Sequence, residues 1–263
     1  MSSKIAIIGG TGIYDLPGLE NVEKRVIDTP FGEVTMKVGI LGGKSVAFIT
    51  RHGEKHSIAP NRINFRANMF ALREFGAKAV IATACSGSMN QNFQVGDFVL
   101  LEQFLDFTKA RPARFYEDDE SKPIPHLDFT NPYCGNIGRI LLNAANKTGL
   151  QVKKGATYCC MEGPRFESAA EINMLKMLGG DLVGHTGYPE VVLAREAGMC
   201  YCSIGVVSNM AAGISDNAIT LGEVAETMSA RFGTLQSLLA ETIRAIPDEY
   251  DCDCQHAIEN AYA

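Results

Sequence analysis

Five apolar runs, each only four or five residues long, set the limits on what this chain can fold into: Ile5–Ile8, Val46–Thr50, Val80–Thr83, Phe98–Leu101 and Ser203–Val207. Runs this short and this apolar read as strands buried on both faces. Helical patterns lie between them. Phe65–Phe75 has apolar residues at helical spacing and stops at Gly76. Ser168-Ala-Ala-Glu171 is a capping box that opens a helix ending near Gly179-Gly180. Pro189 and Gly198 bracket another helix, and Thr220-Leu-Gly-Glu223 starts a long one that must end before Pro247. Strands alternating with helices predict an α/β fold, layered around a central sheet. No repeat or linker-like run interrupts the chain, so one domain is expected over residues 1–263.

The polar residues sit at the ends of these runs. Ile5–Ile8 leads into Gly9-Gly10-Thr11-Gly12, and Val46–Thr50 into Arg51-His52-Gly53. Val80–Thr83 leads into Ala84-Cys85-Ser86-Gly87-Ser88, and Ser203–Val207 into Ser208-Asn209. In α/β sheets ligands bind beyond the carboxyl ends of strands, so these loops are candidates for one crevice. Their chemistry suits an anion. Glycine-rich backbone can aim several N–H groups at one point, Arg51 adds a planar fork of donors, and Thr11 adds a hydroxyl. Each feature alone has a plainer reading: a tight turn at Gly9–Gly12, a surface ion pair at Arg51. A dinucleotide fingerprint starting at Gly10 is disfavoured, because Asp15 stands where its third glycine belongs.

The formal charge of −6 implies no basic face for nucleic acid. No apolar run reaches membrane-spanning length, and the stretch after Lys4 is too short for a signal peptide, so a cytoplasmic location is expected. Eight cysteines include no Cys-x-x-Cys pair and no zinc-finger spacing with histidine, so no metal is expected. Most read as small buried hydrophobes. Cys252-Asp-Cys254, with polar neighbours, is the candidate exception as a redox-active or disulfide-bonded pair.

Taken together, several segments resemble the 5′-methylthioadenosine phosphorylase family of purine nucleoside phosphorylases. They are Ile7–Gly12, Asp28–Gly32, Arg51–His56, Asn64–Asn68, Arg111–Tyr116, Glu162–Phe166 and Pro189–Ala194, in family order. The resemblance implies a three-layer α/β/α sandwich with a mixed central sheet, and cleavage of the N-glycosidic bond by inorganic phosphate as co-substrate, with no cofactor. It assigns phosphate to Thr11, Arg51, His52, the Ala84–Cys85 backbone and Thr186. It assigns the nucleoside to Phe166 against the ribose, His185 beneath it, His56 near the 5′ end, and Asn209 and Ala211 at the base. It also implies that His126 is lent to a neighbouring subunit, hence a trimer or hexamer.

Two positions depart from the family pattern. His185 stands where a methionine is usual. Asn209-Met210-Ala211 replaces the Asp-x-Asp of adenine-specific members. A carboxylate suits the donating 6-amino group of adenine, whereas an amide N–H donates to O6 or N7 of a 6-oxopurine. Asn209 is therefore expected to act on the departing base and to favour inosine, guanosine or 5′-methylthioinosine. Release of adenine from methylthioadenosine is the alternative. A nucleoside hydrolase and a non-catalytic nucleotide sensor are the readings from other classes.

Overall fold

A computed structural model describes residues 3–117, 119–215, 218–259 and 261–262. Nine strands form one mixed sheet: β1 (Lys4–Gly9), β2 (Glu20–Thr29), β3 (Gly32–Leu41), β4 (Lys44–Thr50), β5 (Ala77–Ser88), β6 (Phe98–Phe107), β7 (Val152–Met161), β8 (Leu182–Gly184) and β9 (Cys200–Met210). The helices are α1 (Phe65–Phe75), α2 (Gly135–Lys147), α3 (Ala169–Met177), α4 (Glu190–Glu196), α5 (Leu221–Ala245) and the one-turn α6 (Asp253–His256). The sheet order is β2-β3-β4-β1-β5-β8-β7-β6-β9, and β5 pairs with β9 as well. That last pairing means the sheet is not a simple open layer: its second half closes back on β5.

The five apolar runs are strands, and they are buried on both faces as expected. In β1, Ala6 and Ile8 pack into one core with α1 and α4. Ile5 and Ile7 face the other way, into a second core with α2 and α5. A smaller third cluster joins α3 to the sheet through Ile172, Leu175, Cys159 and Val183. The capping box at Ser168 is complete, with the Ser168 side chain accepting from the Glu171 backbone and Glu171 returning a bond to the Ser168 backbone. At Thr220 only the forward bond, to the Glu223 N–H, is made. Among the described residues no helix is long and apolar enough to cross a membrane.

Strand direction decides where the site lies. β1 runs parallel to β4 and to β5, and β5 runs parallel to β9. The carboxyl ends of four of the five apolar strands therefore open on the same side. The fifth, β6, runs antiparallel to β9 and contributes nothing there.

Candidate active site

A cavity of about 380 Å³ occupies that side. Its walls include Gly10 and Thr11 after β1, His52 after β4, Cys85 and Gly87 within β5, His185 and Thr186 after β8, and Asn209 and Ala211 at the end of β9. Phe166 stands at the lip, 38% exposed, and His56 lines the mouth. Nine of the twelve expected site residues are thus brought together: Thr11, His52, His56, Cys85, Phe166, His185, Thr186, Asn209 and Ala211.

Three are not. Arg51 lies behind the floor, its side chain 1% exposed. Its Nε and Nη2 form a fork onto Glu190 at 2.5 and 2.9 Å, and Nη1 donates to the Thr83 carbonyl at 2.9 Å. The fork expected for an anion is therefore already closed on a carboxylate. The plainer reading of Arg51, a surface ion pair, does not hold either, because the pair is wholly buried and Tyr201 Oη adds a third bond to Glu190 at 2.7 Å. The tight turn does form, the Ile13 N–H donating to the Gly10 carbonyl at 3.0 Å. Ala84 is buried within β5, opposite Gly205, and faces away from the cavity. His126 is exposed, its N–H bonded to the Ala261 carbonyl at 2.7 Å, and it borders a separate surface cleft.

The first glycine loop also differs in detail from expectation. The Gly10 N–H is spent on Thr83 Oγ1 at 2.9 Å. The N–H groups of Thr11 and Gly12 have no partner among the described residues, and these two, with the Thr11 hydroxyl, are the donors the loop offers. Beside them His52 places Nδ1 2.9 Å from the Ile58 carbonyl. A carbonyl only accepts, so Nδ1 carries the proton and Nε2 keeps its lone pair. Burial, with the Arg51 charge behind it, pushes the His52 imidazole down to about 4. It is neutral at pH 7. Burial alone would raise the Glu190 carboxyl, but the Arg51 charge and its hydrogen bonds win and hold it below the ordinary value.

The other end of the cavity is made of side-chain amides and acids. The pairing of β5 with β9 slips between Ser86 and Gly87: Ser86 faces Val207 and Gly87 faces Asn209, leaving Ser208 as the extra residue of a bulge. Ser208 Oγ lies 2.7 Å from Asn209 Oδ1 and donates to it, while Asn209 Nδ2 donates to the Met210 carbonyl at 2.9 Å. These two bonds fix the amide's orientation and leave the second Nδ2 hydrogen as a donor. Gly87 makes room for it, since a Cβ there would fall 3.2 Å from Asn209 Nδ2.

One group in this wall is absent from the sequence expectations. Glu167 lines the cavity with its side chain only 7% exposed, and His185 Nε2 sits 2.9 Å from its Oε1. The loop that carries it closes on His185 through Gly163, whose φ is +66 and whose absent Cβ would lie 2.7 Å from the His185 ring. Any larger residue would push the two apart. The sequence signal for Glu167 is adjacency: it directly follows the Glu162–Phe166 segment. His185, read as a departure, has its reason here: it is the partner of that acid.

Cysteines occur both at the site and away from it. Burial raises the Cys85 thiol to about 11, so it lines the cavity as a neutral group. All eight cysteines are free. Cys159, Cys160 and Cys202 are buried, as small hydrophobes would be. Cys252 and Cys254, singled out by their polar neighbours, are joined by Cys134 and Cys200, and none of the four lines the cavity.

Comparison with known proteins agrees with this architecture. Residues 4–244 match the family model described as the phosphorylase superfamily. The chain is 47% identical over 262 residues to the 6-oxopurine nucleoside phosphorylase of Pyrococcus furiosus, covering 98% of each chain. It is 44% identical to a probable S-methyl-5′-thioinosine phosphorylase of Methanopyrus kandleri, covering 98% of this chain and 99% of that one. Among solved structures, methylthioadenosine phosphorylase from Schistosoma mansoni in complex with adenine superposes with a TM-score of 0.94 at 30% identity, covering 99% of both chains.

Proposed function

The chain belongs to the phosphorylase superfamily, and on that premise we propose that it cleaves 6-oxopurine nucleosides with inorganic phosphate. The products are the free base and ribose 1-phosphate, or methylthioribose 1-phosphate if the 5′ group is methylthio. The observation that carries the reading is the polarity of the base wall: Asn209 is fixed as a donor, and Glu167 is a carboxylate acceptor in the same cavity. A 6-oxopurine presents an acceptor at O6 and N7 and a donor at N1–H. Adenine presents the reverse at C6 and N1. The acid missing at position 211 has a counterpart at 167, where it suits the oxo base.

Phosphate is assigned to the donors of Thr11 and Gly12, to Thr186, to the Cys85 side of β5 and to His52. The neutral Nε2 of His52 accepts the hydroxyl of monohydrogen phosphate, a role an imidazolium could not fill. Arg51 acts from beneath as a buried, largely compensated charge that fixes Glu190 and the floor. Held below C1′, phosphate attacks as the bond to N9 breaks, and positioning replaces a bimolecular encounter. Charge developing on the purine is met by the Asn209 N–H, a donor aimed before the reaction starts. No residue of the cavity needs a cofactor for this step. Inosine assayed with and without phosphate tests the reading: free hypoxanthine should appear only with phosphate. Release without phosphate would make the protein a hydrolase, and binding without turnover a sensor.

We assign this activity to a single domain over residues 1–263, in the cytoplasm, and expect no nucleic-acid or membrane partner. His126 is exposed, as a residue lent to a neighbouring site must be, and we propose a trimer or a dimer of trimers. Sedimentation at assay dilution checks this; a fully active monomer would rule it out.

A further inference from the structure

The sulfur atoms of Cys134, Cys200, Cys252 and Cys254 all lie within 4.8 Å of one another, although they come from three separate segments of the chain. Cys134 is the residue before α2, Cys200 is the first of β9, and Cys252 and Cys254 flank Asp253 at the start of α6. Cys252 is extended, with φ −159 and ψ 144, and Cys254 lies in the turn of α6 that follows, so the chain bends between them with both sulfurs in the cluster. The Cys134 and Cys252 sulfurs are 3.7 Å apart. A metal–thiolate bond of about 2.3 Å in a tetrahedron sets sulfurs roughly 3.8 Å apart. We propose that these four thiols form a structural site for a soft divalent cation of the zinc class.

The surroundings fit a thiolate cage. Asn136 Nδ2 donates to Cys252 Sγ at 3.4 Å, and Tyr250 Oη lies 3.4 Å from Cys134 Sγ, where it can donate. Such outer bonds orient metal ligands and spread their charge. Cys134 stands at the N-terminal end of a 13-residue helix, which favours a thiolate there. Arg139, Lys154 and Arg195 border the cleft that opens beside Cys134, Cys252 and Cys254, giving an approach route and offsetting the net negative charge of a four-thiolate site. On binding, the four thiols each give a proton to solvent and the cation keeps its charge, so no electrons move. The ligand set is closed, with four protein donors and no open position, which is the pattern of structural and not catalytic sites.

The site has a mechanical role. It clasps the C-terminal segment beyond α5 to the start of α2 and of β9. That same segment holds the His126 loop through the Ala261 carbonyl. The phosphorylase reading is independent of it, since none of the four thiols lines the active cavity.

The test is metal analysis of the full-length protein purified under reducing conditions from zinc-supplemented cells. One zinc per chain is expected. Cobalt added to the metal-free protein should give the visible bands of a tetrahedral cobalt thiolate. Bound metal should also protect four of the eight thiols from alkylation, with peptide mapping placing them at 134, 200, 252 and 254. The Cys252→Ser/Cys254→Ser variant should retain inosine phosphorolysis, lose the metal and melt several degrees lower. If that variant fails to fold, the cobalt spectrum and alkylation map of the unaltered chain still decide. Protein that takes up neither zinc nor cobalt while all four thiols remain reactive would overturn the proposal. So would a disulfide among these four cysteines in the protein as isolated.

Discussion

The two ends of the active cavity are built from different materials. The end we propose for phosphate is set by backbone and by groups buried beneath it: the Thr11–Gly12 loop, neutral His52, and the Arg51–Glu190–Tyr201 cluster. The end we propose for the base is set by side chains on a bulge and a loop: Asn209, Glu167 and His185. Changing the first end disturbs the core. Changing the second alters which hydrogen-bonding pattern is welcomed and leaves the sheet alone. On the proposed assignment, the bond-breaking apparatus belongs to the fold, and the choice of base belongs to a few exchangeable groups.

The sharpest way to break that contrast lies at the base end, where the largest effect is expected. The protein should favour inosine over adenosine, compared as the same 5′ form, by roughly 10⁴-fold in kcat/KM, the scale of discrimination in a site with mispaired polar groups. Asn209→Asp alone should cut inosine turnover by about 10²–10³-fold, because an acceptor replaces the donor at the developing charge. Asn209→Asp with Glu167→Gln reverses both polarities and should move selectivity toward adenosine with little change in melting temperature. A large drop in stability instead would mean that the base wall is as structural as the floor.

At the phosphate end the order of effects should invert. Arg51→Met leaves Glu190 buried without its partner, and the expected cost in urea unfolding is about 3–5 kcal/mol. Arg51→Met with Glu190→Leu should recover much of that loss, since the uncompensated charge is gone. Activity should remain low in both, because the floor under His52 is altered.

A smaller effect sharpens the electrostatics. The His52 imidazole titrates near 4 in the folded chain, against an ordinary value of 6.5. Between those values the unfolded chain binds the extra proton, so stability is full above pH 6.5 and falls as pH drops toward 4. The group accounts for at most about 3 kcal/mol of that loss. Unfolding curves at pH 7 and pH 4.5 should therefore differ more for the unaltered chain than for His52→Gln. An equal difference in both would mean that His52 is charged in the folded state.

The same contrast explains what the sequence made legible. Strand ends declare themselves, because a buried apolar run must stop where polar residues begin; that placed Thr11, His52, Cys85 and Asn209 at one crevice. The hairpin of β2 and β3 did not declare itself. Its outer strand, Glu20–Thr29, is charged and solvent-exposed along nearly its whole length, so it carries no buried run to detect. Partnerships over long chain separations were equally silent. Arg51 meets Glu190 across 139 residues, and nothing near either residue announces the other. The thiol cluster is a further case, since polar neighbours single out only Cys252 and Cys254, and nothing near them announces Cys134 or Cys200. Glu167 differs from these. Its neighbours were in plain view, and only its place in the cavity beside His185 required the folded loop.

The extra residue at Ser208 has a consequence for how this protein can change. A strand alternates its side chains between two faces, so one inserted residue reverses the parity of everything after it. Asn209 owes its place over Gly87 to that odd count. Substitution is therefore not the only route to a new substrate. Removing one residue before position 209 would restore an unbroken ladder and turn the amide to the opposite face, so the enzyme's preference is held partly in the length of its last strand and not only in its letters.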